Sequence, residues 1–280
     1  MGDVLTARLV GTTWTARHMP LADALGVVRA AGLTTVEVWA EGVHLDPRSD
    51  GYQPAQVRRA LAGGLEVLSV HLPFHAASEG TPADVRTDDW VQLCTETLRR
   101  AVELGARTVV AHPVIHLDSG EPEQHGVRRL STALQRIAAN AAPLGLRLAV
   151  ENMHGLHGPT LHSVTEILAV LGDTIPTAGL CLDVGHAIFN GYTGPRLGAE
   201  VYAAGGHLLS THVHDSDRVG ADPHLIPGDG IADWRAFFSA LTGYLGPFIL
   251  EVDGGADPLE RLTTARTRFM RLLHDNAFGQ

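Results

Sequence analysis

Along the chain, short runs of apolar and β-branched residues alternate with longer stretches in which apolar positions recur three and four residues apart. The short runs, at residues 8–14, 34–40, 65–74, 107–113, 147–154, 177–186, 208–215 and 247–253, are predicted strands. Between them, patterns such as Trp90, Leu93, Leu98, Val102 and Leu130, Leu134, Ile137 predict amphipathic helices. Gly32, Gly105 and Gly145 fall between a helical pattern and the next strand, where a glycine closes a helix. Strands alternating with helices imply a parallel sheet, and eight such units suffice to close a (β/α)8 TIM barrel. No Pro/Ser-rich linker, longer repeat or low-complexity tract interrupts this rhythm, so residues 1–280 read as a single domain. The longest non-helical stretches, 41–51, 74–83, 115–123 and 215–230, follow strands rather than helices. In a barrel they gather on the carboxyl face, where active sites of this fold sit.

Composition narrows the function classes. With 45% hydrophobic and 19% charged residues, the chain can bury a core without staples. Apolar runs such as 108–111 and 248–250 are too short to cross a membrane, and residues 1–4 lack the features of a secretion signal. A cytoplasmic protein without membrane contact is expected. Cys94 and Cys181 cannot build a disulfide framework and read as small buried hydrophobes. All 21 basic residues are arginine, which excludes any mechanism that needs a lysine Schiff base or a lysine general acid. A formal charge of −10 argues against a general nucleic-acid binder, although bound cations would offset carboxylates locally.

The candidate chemistry lies at the ends of the strands. Strand three ends in His71, strand four in His112, strand five in Glu151 and His154, and strand six in Asp183 and His186. Strand seven carries His212, His214 and Asp215, strand eight Glu251 and Asp253, and the loop after strand seven adds Asp222 and His224. Each strand is apolar until it reaches such a residue. A buried carboxylate there is costly unless it is paired or bound to a metal, and no lysine is available to pair with it. Converging imidazoles and carboxylates without cysteine suit Zn2+ or Mn2+ rather than Ca2+ or a structural zinc site.

In this order, these residues resemble the xylose-isomerase-like barrel superfamily, which includes sugar-phosphate isomerases and epimerases and the endonuclease IV DNA-repair enzymes. The segments LDVGHA (182–187) and HVHDSD with DPHLIPGDGIADW (212–234) carry most of the resemblance, which spans residues 34–253. By that resemblance, one to three divalent ions per chain are expected, held by His71, His112, Glu151, Asp183, His186, His212, Asp222, His224 and Glu251. The nuclease pattern assigns His71, His112 and Glu151 to one ion. It assigns Glu151, Asp183, His212 and Glu251 to a second, and His186, Asp222 and His224 to a third. In the epimerase branch the second set holds a single ion, commonly manganese, and Glu151 and Glu251 exchange protons with the substrate from opposite sides.

The loops favour the sugar reading: an isomerase or epimerase working through an enediol between Glu151 and Glu251. The loop after strand two, from Trp39 to Leu45, is acidic and has no arginine before Arg48. An endonuclease-IV-like enzyme would need an arginine there to open duplex DNA at an abasic site. Phe74 occupies a plausible wedge position, so abasic DNA remains the alternative substrate. A catalytically idle barrel with a binding role is a third possibility. His214, Trp14, Trp39 and Phe74 are expected to touch the substrate, or in the case of His214 to back a ligand. Arg218 and the turn Gly228, Asp229, Gly230 are phosphate candidates, and His75, His116, His154 and His157 enrich the rim. Homo-oligomerisation is compatible with all of these readings.

Overall fold

Eight parallel strands pair in chain order and close on themselves: β1 (Leu9–Thr12), β2 (Thr35–Trp39), β3 (Glu66–His71), β4 (Thr108–Ala111), β5 (Arg147–Glu151), β6 (Ala178–Asp183), β7 (Leu208–Val213) and β8 (Phe248–Leu250). The computed structural model describes residues 8–74, 81–172, 176–218 and 222–278. The helices are α1 (Leu21–Ala30), α2 (Pro54–Leu61), α3 (Ala83–Glu103), α4 (Glu123–Ala141), α5 (Val164–Leu171), α6 (Val184–Phe189), α7 (Pro195–Ala204), α8 (Trp234–Ala240) and α9 (Pro258–Phe278).

Every predicted strand is present, but each is shorter than its apolar run. The first stops at Thr12, whose hydroxyl accepts the Trp14 N–H at 3.1 Å and turns residues 13–16 into a short 3-10 helix. The sixth stops at Asp183, because its carboxylate accepts the His186 N–H at 2.6 Å and starts α6 at the next residue. Of the predicted stripe on α3, Val102 is exposed, while Trp90 and Leu98 are buried with Cys94 and Ala101 against the barrel. Val102 follows Ala101 by one residue, about 100° further round the helix, which takes it off the apolar stripe. Gly105 and Gly145 do end their helices with left-handed φ angles of 84° and 75°.

The main apolar core fills the space between barrel and helices. Inside the barrel, side chains alternate, so the residue two positions below each rim ligand also faces the axis. That lower layer holds Ser69 under His71, Val110 under His112, Ala149 under Glu151, Cys181 under Asp183 and Ile249 under Glu251, all buried. Val110, Ala149 and Cys181 form a small apolar cluster separate from the main core. The parallel register slips by one residue between β2 and β3, after Val36, and between β6 and β7, after Leu180. Leu68 and Leu209 are the extra residues, and such bulges re-aim the side chains that follow them. After the first, Glu37 comes to lie opposite Ser69.

Candidate metal centre

Among the described residues, four groups of potential ligand atoms adjoin one another at the carboxyl end of the barrel, three of them without cysteine. In the first, His71 Nε2 lies 3.1 Å from His112 Nε2 and 3.3 Å from Glu151 Oε2, and His112 Nε2 lies 3.3 Å from the same oxygen. In the second, His212 Nδ1 is 3.0 Å from Glu251 Oε2, 3.3 Å from Glu151 Oε2 and 3.8 Å from Asp183 Oδ2. In the third, Asp222 Oδ2 lies 3.0 Å from His186 Nε2 and 2.6 Å from His224 Nε2, with His214 beside them. Glu151 belongs to the first two groups. Apart from the partly exposed Asp222, these residues are buried.

Backbone carbonyls set the histidine tautomers. Nδ1 of His71 donates to Leu72 O at 3.0 Å, that of His186 to Asn152 O at 2.9 Å, and that of His224 to Glu251 O at 2.8 Å. A carbonyl only accepts, so each Nδ1 carries the hydrogen and each Nε2 lone pair is turned to the cluster. His212 is oriented the other way round: its Nε2 meets Glu37 Oε1 at 3.0 Å, and its Nδ1 faces the carboxylates.

A divalent cation fits this donor set. Glu151 Oε1, His212 Nδ1 and Asp222 Oδ1 are buried and make no aligned hydrogen bond, although His186 Nδ1 lies 3.2 Å from the first and Glu251 Oε2 3.0 Å from the second, and all three residues belong to the ligand groups. Such orphans are costly in a protein interior and are resolved by an ion or water. Electrostatics agree. Burial opposes charge on Glu151, but His212 and His112 outweigh it and hold that carboxyl well below its usual range. Against the same burial, His212 keeps Glu251 down to about 2. Burial pulls His224 down, yet Asp222 raises it to about 9, and carboxylates likewise push His186 and His212 well above normal. Without an ion, protons on the histidines balance the carboxylates. An ion would displace them.

The residues around the ligands are placed tightly. Asn152 clamps β5 to β6, accepting the Asp183 N–H at 2.8 Å and donating to Asp183 O at 2.9 Å. His214 Nε2 lies 3.0 Å from the Asp183 carboxylate, and its ring stacks on His224 with centroids 3.9 Å apart. Trp39 is buried behind His71 at 4.6 Å, Phe74 packs on His112 at 4.4 Å, and Trp14 packs on His224 at 4.3 Å. Arg17 covers Trp14 and pairs with Asp253 at 2.8 Å. Beside His112 opens a cavity of about 500 Å³, lined by Phe74, Val114, Ile115, His116, Met153, His154 and Thr160 among others. No arginine lines it among the described residues.

Two expectations need correction. The turn at Gly228–Gly230 is not a phosphate cradle. The Gly228 N–H donates to Asp215 Oδ2 at 2.9 Å, and Asp229 pairs with Arg268. Asp215 also accepts from Ser216 N, Ala232 N and Trp234 Nε1, so the PGDG and ADW segments serve to fold the loop. Arg218 is exposed beside Gly191. Cys181 is not only a core filler: its sulfur lies with Glu151 and His212, although burial pushes the thiol up to about 12. His75 lies outside the described residues, as does the side chain of His157.

Sequence reasoning missed Glu37, Asn152 and Arg17. Glu37 carried the same signal as the others, an acidic residue in an apolar strand (TVEVW), but it sits below the rim rather than on it.

The model of the xylose isomerase-like TIM barrel family matches residues 25–273. The chain belongs to that family. Among curated members, a probable endonuclease 4 of Geobacter sulfurreducens is 27% identical over 212 residues, covering 70% of this chain and 71% of its own. Among solved structures, an L-ribulose 3-epimerase superposes with a TM-score of 0.75 at 21% identity, covering 96% of this chain and 95% of that one. An AP endonuclease, family 2, from Brucella melitensis superposes with a TM-score of 0.69 at 17% identity, covering 91% and 96%. At these identities the two structures speak to the fold. No helix among the described residues is long and apolar enough to cross a membrane.

Proposed function

We propose that this family member is a divalent-metal-dependent sugar isomerase or epimerase. The observation that carries the reading is the placement of Glu151 and Glu251. Glu151 ends β5 and Glu251 directly follows β8, and each brings a carboxylate oxygen within 3.3 Å of the same His212 nitrogen. Two carboxylates that share one centre but approach it from different walls can serve the two faces of a small substrate bound between them. Glu151, Asp183, His212 and Glu251 would hold the ion, Mn2+ or Zn2+, and the two further groups can take up to two more. When bound, the ion supplies Lewis-acid polarisation of a substrate carbonyl, which acidifies the neighbouring C–H.

The remaining steps belong to the chain. One glutamate takes the proton from the carbon beside the carbonyl, and the electron pair of that C–H bond moves into a planar enediol. The other, entering as the acid, returns a proton to the carbon. Delivery to the opposite face inverts the centre; delivery to the neighbouring carbon, with the hydroxyl proton passing to the former carbonyl oxygen, isomerises the sugar. The pair carries one proton through the cycle. The cavity beside His112 has room for a sugar, and Phe74, Ile115 and Met153 would keep water from the enediol.

A phosphodiesterase acting on abasic DNA is the second reading, favoured by the complete set of three adjoining ligand groups. The loop geometry weighs against it. Arg48 is engaged by Asp46 at 2.8 Å, and Phe74 lies back on His112 and Trp39 rather than standing free of the surface as a wedge. The test is to incubate metal-loaded protein with ketoses and ketose phosphates in deuterated water, and with abasic duplex in parallel. Deuterium at a sugar carbon, lost in Glu151→Gln and Glu251→Gln, supports the proposal. Strand cleavage lost in the same variants, with no sugar exchange, replaces it by the second reading. Loss of metal on dialysis with neither activity would favour the idle barrel.

A further inference from the structure

The carboxylate of Glu37 is as deeply buried as any ligand, yet it belongs to none of the three ligand groups. Its two oxygens have one close partner each: Ser69 Oγ–H donates to Oε2 at 2.6 Å, and His212 Nε2–H donates to Oε1 at 3.0 Å. Both contacts depend on the slip in register at Leu68, which sets Glu37 opposite Ser69 and level with the floor of the metal centre. A buried carboxylate is expensive unless what it holds returns the cost. His212 is the ligand it holds.

We infer that Glu37 is a positioning residue for metal binding, acting through His212. By accepting the Nε2 hydrogen it leaves the lone pair of a neutral imidazole on Nδ1, the atom that lies 3.0 to 3.8 Å from the carboxylates of Glu251, Glu151 and Asp183. The outer nitrogens of His71 and His224 donate to backbone carbonyls, which fix a tautomer but bear no charge, whereas that of His186 has Glu151 Oε1 at 3.2 Å beside the Asn152 carbonyl. A carboxylate in that place also draws the Nε2 proton towards itself and makes Nδ1 a stronger donor. Ser69 holds the Glu37 carboxylate in place. The arrangement therefore sets His212 apart from His71 and His224, whose outer nitrogens meet only backbone carbonyls. This inference rests on the metal-binding part of the proposed function and not on its substrate.

The test compares metal affinity across variants. The relevant site is the one that disappears in His212→Ala, and the probes are Mn2+ and Zn2+ alone, titrated against a competing chelator at constant pH. Glu37→Gln keeps the shape and an acceptor for Nε2 but removes the charge. Its affinity is expected to fall about 10- to 100-fold, the usual effect of losing such a partner, while circular dichroism stays that of a folded barrel. Ser69→Ala should weaken binding in the same direction by a smaller factor. Glu66→Gln, an equal change of charge at an exposed position, should leave it within twofold. The inference is overturned if folded Glu37→Gln binds within twofold of the native chain, or if Glu66→Gln weakens binding equally. If Glu37→Gln does not fold, native affinity in Ser69→Ala overturns it. A native chain that binds neither ion would sink the metal-binding reading along with it, whereas intact native binding with an indifferent Glu37→Gln sinks this inference alone.

Discussion

Replacing Gly185 by alanine adds a single methyl group at a helical position, a change that ordinarily stabilises a helix by up to about 1 kcal/mol. Here it should do the opposite. A Cβ at residue 185 would stand 1.9 Å from His214 Cε1 and 2.2 Å from His214 Nδ1. The imidazole cannot step aside, because the His224 ring stacks on it 3.9 Å away and its Nε2 is held by Asp183 at 3.0 Å. Overpacking of this kind costs about 1–3 kcal/mol. Displacing the ring also loses a hydrogen bond to a buried carboxylate, worth about 1.5–3 kcal/mol. Net of the helix preference, Gly185→Ala should destabilise the ion-free chain by about 2–4 kcal/mol. For a domain of this size that lowers Tm by roughly 5–15 °C. Thermal unfolding in the presence of a chelator measures it, and the double variant with His214→Ala should recover part of the loss, since the methyl then has space. An unchanged or raised Tm for Gly185→Ala, or strictly additive effects in the double variant, would refute the argument that His214 is wedged between α6 and His224.

Ion-free stability should depend on pH in a defined direction. His224 is raised to about 9 when folded, so its contribution is complete below its unfolded value near 6.5 and is lost as pH rises through 9. Glu251, lowered to about 2, contributes above about 4.5 and loses that contribution as pH falls towards 2. Between these limits both groups are paired, and the Tm gain on adding Zn2+ or Mn2+ should grow from pH 5.5 to pH 9 as protons cease to compete. A flat gain across that range would contradict the proton-balanced cluster. Asp215→Ala removes the acceptor for Ser216, Gly228, Ala232 and Trp234, and should speed amide exchange across residues 222–234 while leaving β1–β5 protected. Trp90→Phe loses the bond from Nε1 to Pro73 O and leaves a cavity where the buried indole was, so in urea unfolding it should cost more than the roughly 1 kcal/mol of the hydrogen bond alone.

Much of this molecule could be read from its residues in order. Apolar runs and helical stripes marked eight βα units, because parallel strands covered by helices carry a strong local signature. The candidate ligands were legible for a related reason: a His, Asp or Glu ending an apolar strand conflicts with burial, and that conflict shows in the sequence. What the sequence left open depends on distances between strands. Glu37 and His212 are 175 positions apart, and their contact exists only because the barrel closes and the register slips at Leu68. Gly185 read as part of a motif, and the reason for it, the ring of His214, lies on another strand. The Gly228 turn looked like an anion cradle until Asp215 was found to occupy its N–H. Residue type and spacing determined which groups reach the rim. Tertiary closure alone decided which nitrogen of His212 faces the carboxylate cluster, which carboxylate stands behind that ring, and which polar groups are already satisfied, because hydrogen bonds and burial are set by neighbours in space.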